Sequence, residues 1–164
     1  MNIYEYALKM ERDGEKFYRE LAGNCRIEGV RTILTMLASE EVKHYDTITL
    51  LKKQAGNSLP VNSKIVDNVR SIFVRMKEKK ADICFDSSEL DSYKKARDIE
   101  EMSQKFYLDK AADTEQEGER QIFLRLAAEE EKHLRIMENL VEFVARPEPG
   151  NWLENAEWHH LEEY

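Results

Sequence analysis

The sequence has little of several things, and each scarcity excludes something. Its 2 cysteines, Cys25 and Cys84, stand alone without a Cys-x-x-Cys, so neither a zinc ribbon nor a four-cysteine iron site is encoded. Glycine (6) and proline (3) are rare among 164 residues, which leaves few places where a helix must stop. No run of about 18 apolar residues occurs, so no membrane-spanning helix is expected. Lysine and arginine number 25 against 33 acidic residues, and a net charge of -8 with no basic stripe argues against nucleic acid. The stretch Met1 to Tyr18 is amphipathic and mixed in charge, unlike a signal peptide. A reducing cytoplasm is the expected compartment, with both cysteines as free thiols.

What remains is helical material. Charged residues make up 35% and hydrophobic ones 41%, a balance rich in Glu, Lys, Leu and Ala that reads as a single all-α domain. Within it lies a repeat. Residues 7–51 overlay residues 96–140 without a gap, with identities that include Ala7/Ala96, Glu11/Glu100, Phe17/Phe106, Tyr18/Tyr107, Ile33/Ile122, Leu37/Leu126, Glu41/Glu130, Lys43/Lys132 and His44/His133. A duplicated helix pair can close a four-helix bundle about a pseudo-twofold axis.

The spacing predicts a first helix over 3–22, with Ile3, Tyr6, Ala7, Met10, Gly14, Phe17, Tyr18 and Leu21 facing inward and Glu11 among them. A second is expected over 28–54, a third over 89–112 after the capping serines Ser87 and Ser88, and a fourth over 117–145. The pairs Glu28/Arg31 and Glu117/Arg120 suit the two helix starts that follow short turns. The connection 55–88 is too long for a tight turn, so the second and third helices should run parallel. Within it, Ile65, Val69, Ile72, Phe73 and Met76 predict a short helix from Lys64 to Lys79. Pro147, Pro149 and Gly150 end the bundle at about residue 145, and the tail Trp152 to Tyr164 carries enough apolar surface to dock on the bundle or on a second subunit.

Each repeat then places polar residues where the core should be. Apolar positions Ile33, Leu37, Ile48 and Leu51, and again Ile122, Leu126, Met137 and Leu140, keep a 3-and-4 spacing that runs through Glu41 and His44, and through Glu130 and His133. With Glu11 and Glu100 these make four carboxylates and two imidazoles from four helices. Buried carboxylates are costly unless paired, and two divalent cations balance four of them when both histidines are neutral. Mixed carboxylate and imidazole ligation suits iron or manganese and accepts zinc. Metal binding should release protons and stabilise the fold. Glu40 and Glu129 are expected to face water, about 100° from the motif. A third Glu-x-x-His, Glu157 to His160, lies in the tail with nothing placed opposite it, and is expected to pack or to form an interface.

A Glu from each of two helices plus Glu-x-x-His from each of the other two is the ligand pattern of dimetal carboxylate bundles. Over residues 3–145 the chain resembles the rubrerythrin group of ferritin-like proteins. The resemblance implies a ferritin-like four-helix bundle binding two irons, with Glu41 and Glu130 bridging, Glu11 and Glu100 as outer carboxylates, and His44 and His133 as nitrogen ligands. It also implies that Tyr18 and Tyr107 hydrogen-bond to ligand carboxylates. The activity implied is reduction of hydrogen peroxide to water, with electrons from a separate donor such as a rubredoxin, since no rubredoxin domain follows in this sequence. The group's peroxidases usually carry a further Glu on the third helix; Ser103 stands there, and its repeat mate is Gly14. That departure leans toward a ferroxidase that uses dioxygen. A third possibility is a metal-stabilised sensor or interaction module without turnover. Bundles of this group often pair, which makes a homodimer the expectation.

Overall fold

A computed structural model describes residues 3–53, 65, 69, 72 and 87–145. The described residues form four helices: α1 (Ile3–Asn24), α2 (Glu28–Lys53), α3 (Ser87–Asp113) and α4 (Glu117–Ala145). Predicted boundaries agree within two residues, α3 beginning at Ser87 itself. Three-residue turns join α1 to α2 and α3 to α4, so each pair is an antiparallel hairpin. The repeat governs the turns as well as the helices. Arg31 Nε donates to the Cys25 carbonyl at 3.1 Å and Arg120 Nη2 to the Thr114 carbonyl at 2.8 Å, at matching positions. Each arginine thus satisfies a carbonyl that the end of a helix leaves over.

Packing between the hairpins sets the direction of the chain. Glu11 faces Tyr107 and Tyr18 faces Glu100, so α1 and α3 run antiparallel. His44 faces Glu130 and His133 faces Glu41, so α2 and α4 do too. With α1 antiparallel to α2 as well, α2 and α3 must be parallel, and only a long crossover can connect them. The fold is a ferritin-like four-helix bundle. In the crossover Ile65, Val69 and Ile72 are helical and buried, as their spacing predicts. Phe73, Met76 and Cys84 lie outside the described residues, as does the tail with Trp152, Glu157, His160 and Tyr164. Among the described residues no helix is long and apolar enough to cross a membrane.

Two apolar clusters fill the bundle. One holds Tyr18, Leu34, Leu37, Tyr93, Met137, Leu140 and Phe143 with the crossover residues; the other holds Ala7, Ile48, Leu51, Tyr107, Phe123 and Leu126. Repeat mates such as Leu37 and Leu126 fall in different clusters, so the pseudo-twofold axis exchanges the two ends. The polar residues lie in the layer between them.

Three side chains depart from the expected pattern. Tyr6 is 49% exposed, because it leaves the inward face of α1 to pack its ring 5.0 Å from that of Phe106 on the outside of the α1/α3 seam. Glu40 and Glu129 are buried instead of solvated. Each helix of a bundle packs against two neighbours, so the covered arc is wider than one stripe and takes in the adjoining position. Both carboxylates keep a cation, Lys43 at 2.6 Å from Glu40 and Lys132 at 2.7 Å from Glu129.

Candidate metal centre

The layer between the apolar clusters holds all six residues singled out by the repeat. Glu11, Glu41, His44, Glu100, Glu130 and His133 are each at most 5% exposed. Every one comes from the middle of its helix, where the hydrogen-bonded backbone fixes the direction of the side chain. The two imidazoles stack nearly parallel, 11° apart with ring centres separated by 5.2 Å. Their Nδ1 atoms meet the carboxylates. His44 Nδ1 is 3.1 Å from Glu130 Oε1 and 3.3 Å from Glu11 Oε2. His133 Nδ1 is 3.1 Å from Glu41 Oε1, 3.3 Å from Glu130 Oε2 and 3.7 Å from Glu100 Oε2.

Glu41, His44, Glu130 and His133 each offer one donor atom within 4.8 Å of the others. Glu11 and Glu100 flank this inner set, each held from the opposite hairpin. The Tyr107 hydroxyl donates to Glu11 Oε1, and the Tyr18 hydroxyl donates to Glu100 Oε1. These two bonds are repeat mates, and each leaves the other oxygen of its carboxylate turned toward an imidazole.

Burial and mutual repulsion shift the protonation of the cluster. Burial pushes the Glu41 carboxyl well above the ordinary carboxylate range, and the neighbouring charges of Glu130, Glu11 and Glu100 push it further. Glu100 is raised to about 7, by burial first and then by Glu130. Burial alone would lower both histidines, but facing carboxylates outweigh it and hold them well above their usual value, Glu130 chiefly at His44 and Glu100 chiefly at His133. Glu130 is the one member held low: burial opposes its charge, but His44 and His133 overcome that. The Tyr18 and Tyr107 phenols are raised by burial and then by the carboxylates they serve, which keeps them protonated as donors.

Protons on the histidines and on Glu41 and Glu100 therefore offset the crowding of negative charge in the layer. Glu11 Oε2, Glu41 Oε1 and Glu130 Oε2 are buried without a hydrogen-bond partner. Orphaned buried acceptors are rare in folded proteins, and here they converge with the chemistry of a hard or borderline divalent cation. The residues present thus fit a metal site, with a donor set that suits iron or manganese.

Three contributors are not evident from the sequence. Lys43 and Lys132 neutralise the buried Glu40 and Glu129, which their three-residue spacing in both repeats could have signalled. Arg12 donates to the Tyr45 hydroxyl at 2.8 Å and lies over its ring, covering the α1/α2 side of the layer. No motif announces that contact, and the repeat places Glu101 and Leu134 at the matching positions.

Neither a search of curated proteins nor a search of solved structures gives a significant match. The family model described as Rubrerythrin matches residues 2–141, which takes in all four helices almost to the end of α4. With its duplicated Glu-x-x-His helices and its buried Glu/His layer, the chain belongs to the rubrerythrin family.

Proposed function

We propose that this protein is a non-haem di-iron oxidoreductase that reduces hydrogen peroxide to water, drawing electrons from a separate donor protein such as a rubredoxin. The observation that supports it most is the twofold-related donor set, one hairpin supplying Glu11, Glu41 and His44 and the other Glu100, Glu130 and His133. Glu41 and Glu130, reaching the centre from α2 and α4, are suited to bridge two metal ions. Glu11 with His44, and Glu100 with His133, are suited to complete one ion each. Two ferrous ions held by these residues would supply the two electrons that cleavage of a peroxide O–O bond requires.

The chain's own residues do the rest. Tyr18 and Tyr107 fix the outer carboxylates in one pose. The apolar clusters above and below exclude water and strengthen each charge interaction in the layer.

A second reading keeps the site and changes the oxidant. Ser103, buried beside the layer, stands where the family's peroxidases usually carry another carboxylate, which favours a ferroxidase using dioxygen. Stopped-flow absorbance separates the two. Anaerobic, ferrous-loaded protein is mixed with hydrogen peroxide and, separately, with dioxygen. Faster oxidation by peroxide is the expected result. The reverse order would favour the ferroxidase, and no oxidation by either would defeat the redox reading. Replacing Glu41 and Glu130 together by alanine should abolish the binding of two metal ions per chain; retention of both ions would refute the ligand assignment.

A further inference from the structure

The repeat makes the two halves of the layer nearly equivalent, and one pair of positions breaks the equivalence. Gly14 on α1 is the mate of Ser103 on α3. Gly14 is buried in the middle of a 22-residue helix, where glycine is a poorer helix former than alanine. A β-carbon built there would stand 2.7 Å from Glu41 Oε2 and 3.4 Å from Glu41 Cδ. The Glu41 carboxylate occupies the space that any other residue would fill. At the matching position Ser103 carries a side chain and is buried.

The two inner carboxylates are posed accordingly. Glu130 sends one oxygen toward each imidazole, 3.1 Å from His44 and 3.3 Å from His133. Glu41 sends Oε1 to His133 at 3.1 Å and turns Oε2 into the hollow over Gly14. Gly23, near the end of the same helix, has nothing within 4 Å of where its β-carbon would lie. At Gly14, by contrast, the three heavy atoms nearest to that point all belong to Glu41.

We infer that Gly14 is a positioning residue for Glu41: its missing side chain gives that carboxylate, and not Glu130, the room to take its pose in the metal centre. This rests on the metal-binding reading above. The clash is with the far end of a flexible side chain, so filling the hollow should move Glu41 without disturbing the fold. It would drive the carboxylate toward Glu130 and Glu11, where like charges crowd it and its reach as a ligand is lost.

The test compares Gly14→Ala with Gly23→Ala, the same chemical change made where there is open space. Cobalt(II) affinity is measured by calorimetric titration, and thermal unfolding is followed in chelator. Gly14→Ala is expected to melt no lower than wild type without metal, because alanine is the better helix former, and yet to bind cobalt(II) at least about tenfold more weakly. Gly23→Ala should match wild type in affinity. In a Glu41→Ala background, adding Gly14→Ala should change affinity no further, because the glycine acts through that carboxylate. Unchanged or raised affinity in Gly14→Ala, an additive loss in the double variant, or a metal-free Gly14→Ala protein less stable than wild type would overturn the inference. Wild-type protein that fails to bind cobalt(II) at all would instead overturn the metal-centre reading beneath it.

Discussion

Loading the centre with metal should expel protons, and their number can be worked from the buried groups. At pH 7 both histidines carry a proton, being held well above their usual value by facing carboxylates. Glu100, raised to about 7, is half protonated, and Glu41, raised by burial and three neighbouring charges, holds a further share. Glu130, held low, contributes none, and the two tyrosines keep theirs. Ligation needs neutral imidazoles and ionised carboxylates, so roughly three protons leave when the site fills. The sign follows: apparent affinity rises with pH. Three protons correspond to about a thousandfold per pH unit near neutrality, flattening as the groups lose their protons at higher pH. Titration of the apoprotein with cobalt(II), in two buffers of different ionisation enthalpy, gives the number directly. Release of fewer than about one proton would refute the charge state assigned to the layer and the ligand roles built on it.

Without metal the same shifts predict how stability depends on pH. Glu100 binds its proton more tightly in the folded state, so its contribution is full below its unfolded pKa and is lost as pH rises toward 7, about 3 kcal/mol in all. Both histidines are raised, and their contribution is likewise full below about 6.5 and lost as pH climbs through their folded values. Glu130 acts oppositely, its contribution being present above its unfolded pKa and lost in acid. Apoprotein in chelator should thus melt lower at pH 9 than at pH 6, and equal or higher melting at pH 9 would contradict the assignment. Tyr18→Phe and Tyr107→Phe should each weaken metal binding by about 10- to 100-fold, since each frees an outer carboxylate from the hydroxyl that holds it. By the repeat the two losses should be similar, and an affinity unchanged in both, measured by the same calorimetry, would remove the tyrosines from the site.

The sequence by itself determined most of this bundle. A 3.6-residue period with few breakers specifies helices, and a duplication that keeps Glu11, Glu41 and His44 in phase with Glu100, Glu130 and His133 leaves those six nowhere to go but inward. Chain direction was legible too, because a connection as long as 55–88 is what parallel neighbours need. Tertiary structure alone decided the rest, for a physical reason common to each case: position on one helix does not say what lies across the gap. Glu40 and Glu129 are buried because a bundle helix has two neighbours and a wide covered arc. Tyr6 turns outward because Phe106, a hundred residues later, offers a ring on the outer seam. Each tyrosine serves the carboxylate of the opposite hairpin, a crossing that only the antiparallel packing of α1 on α3 creates. Gly14 gains its meaning from the Glu41 carboxylate that fills its missing side chain, which no spacing along α1 could reveal.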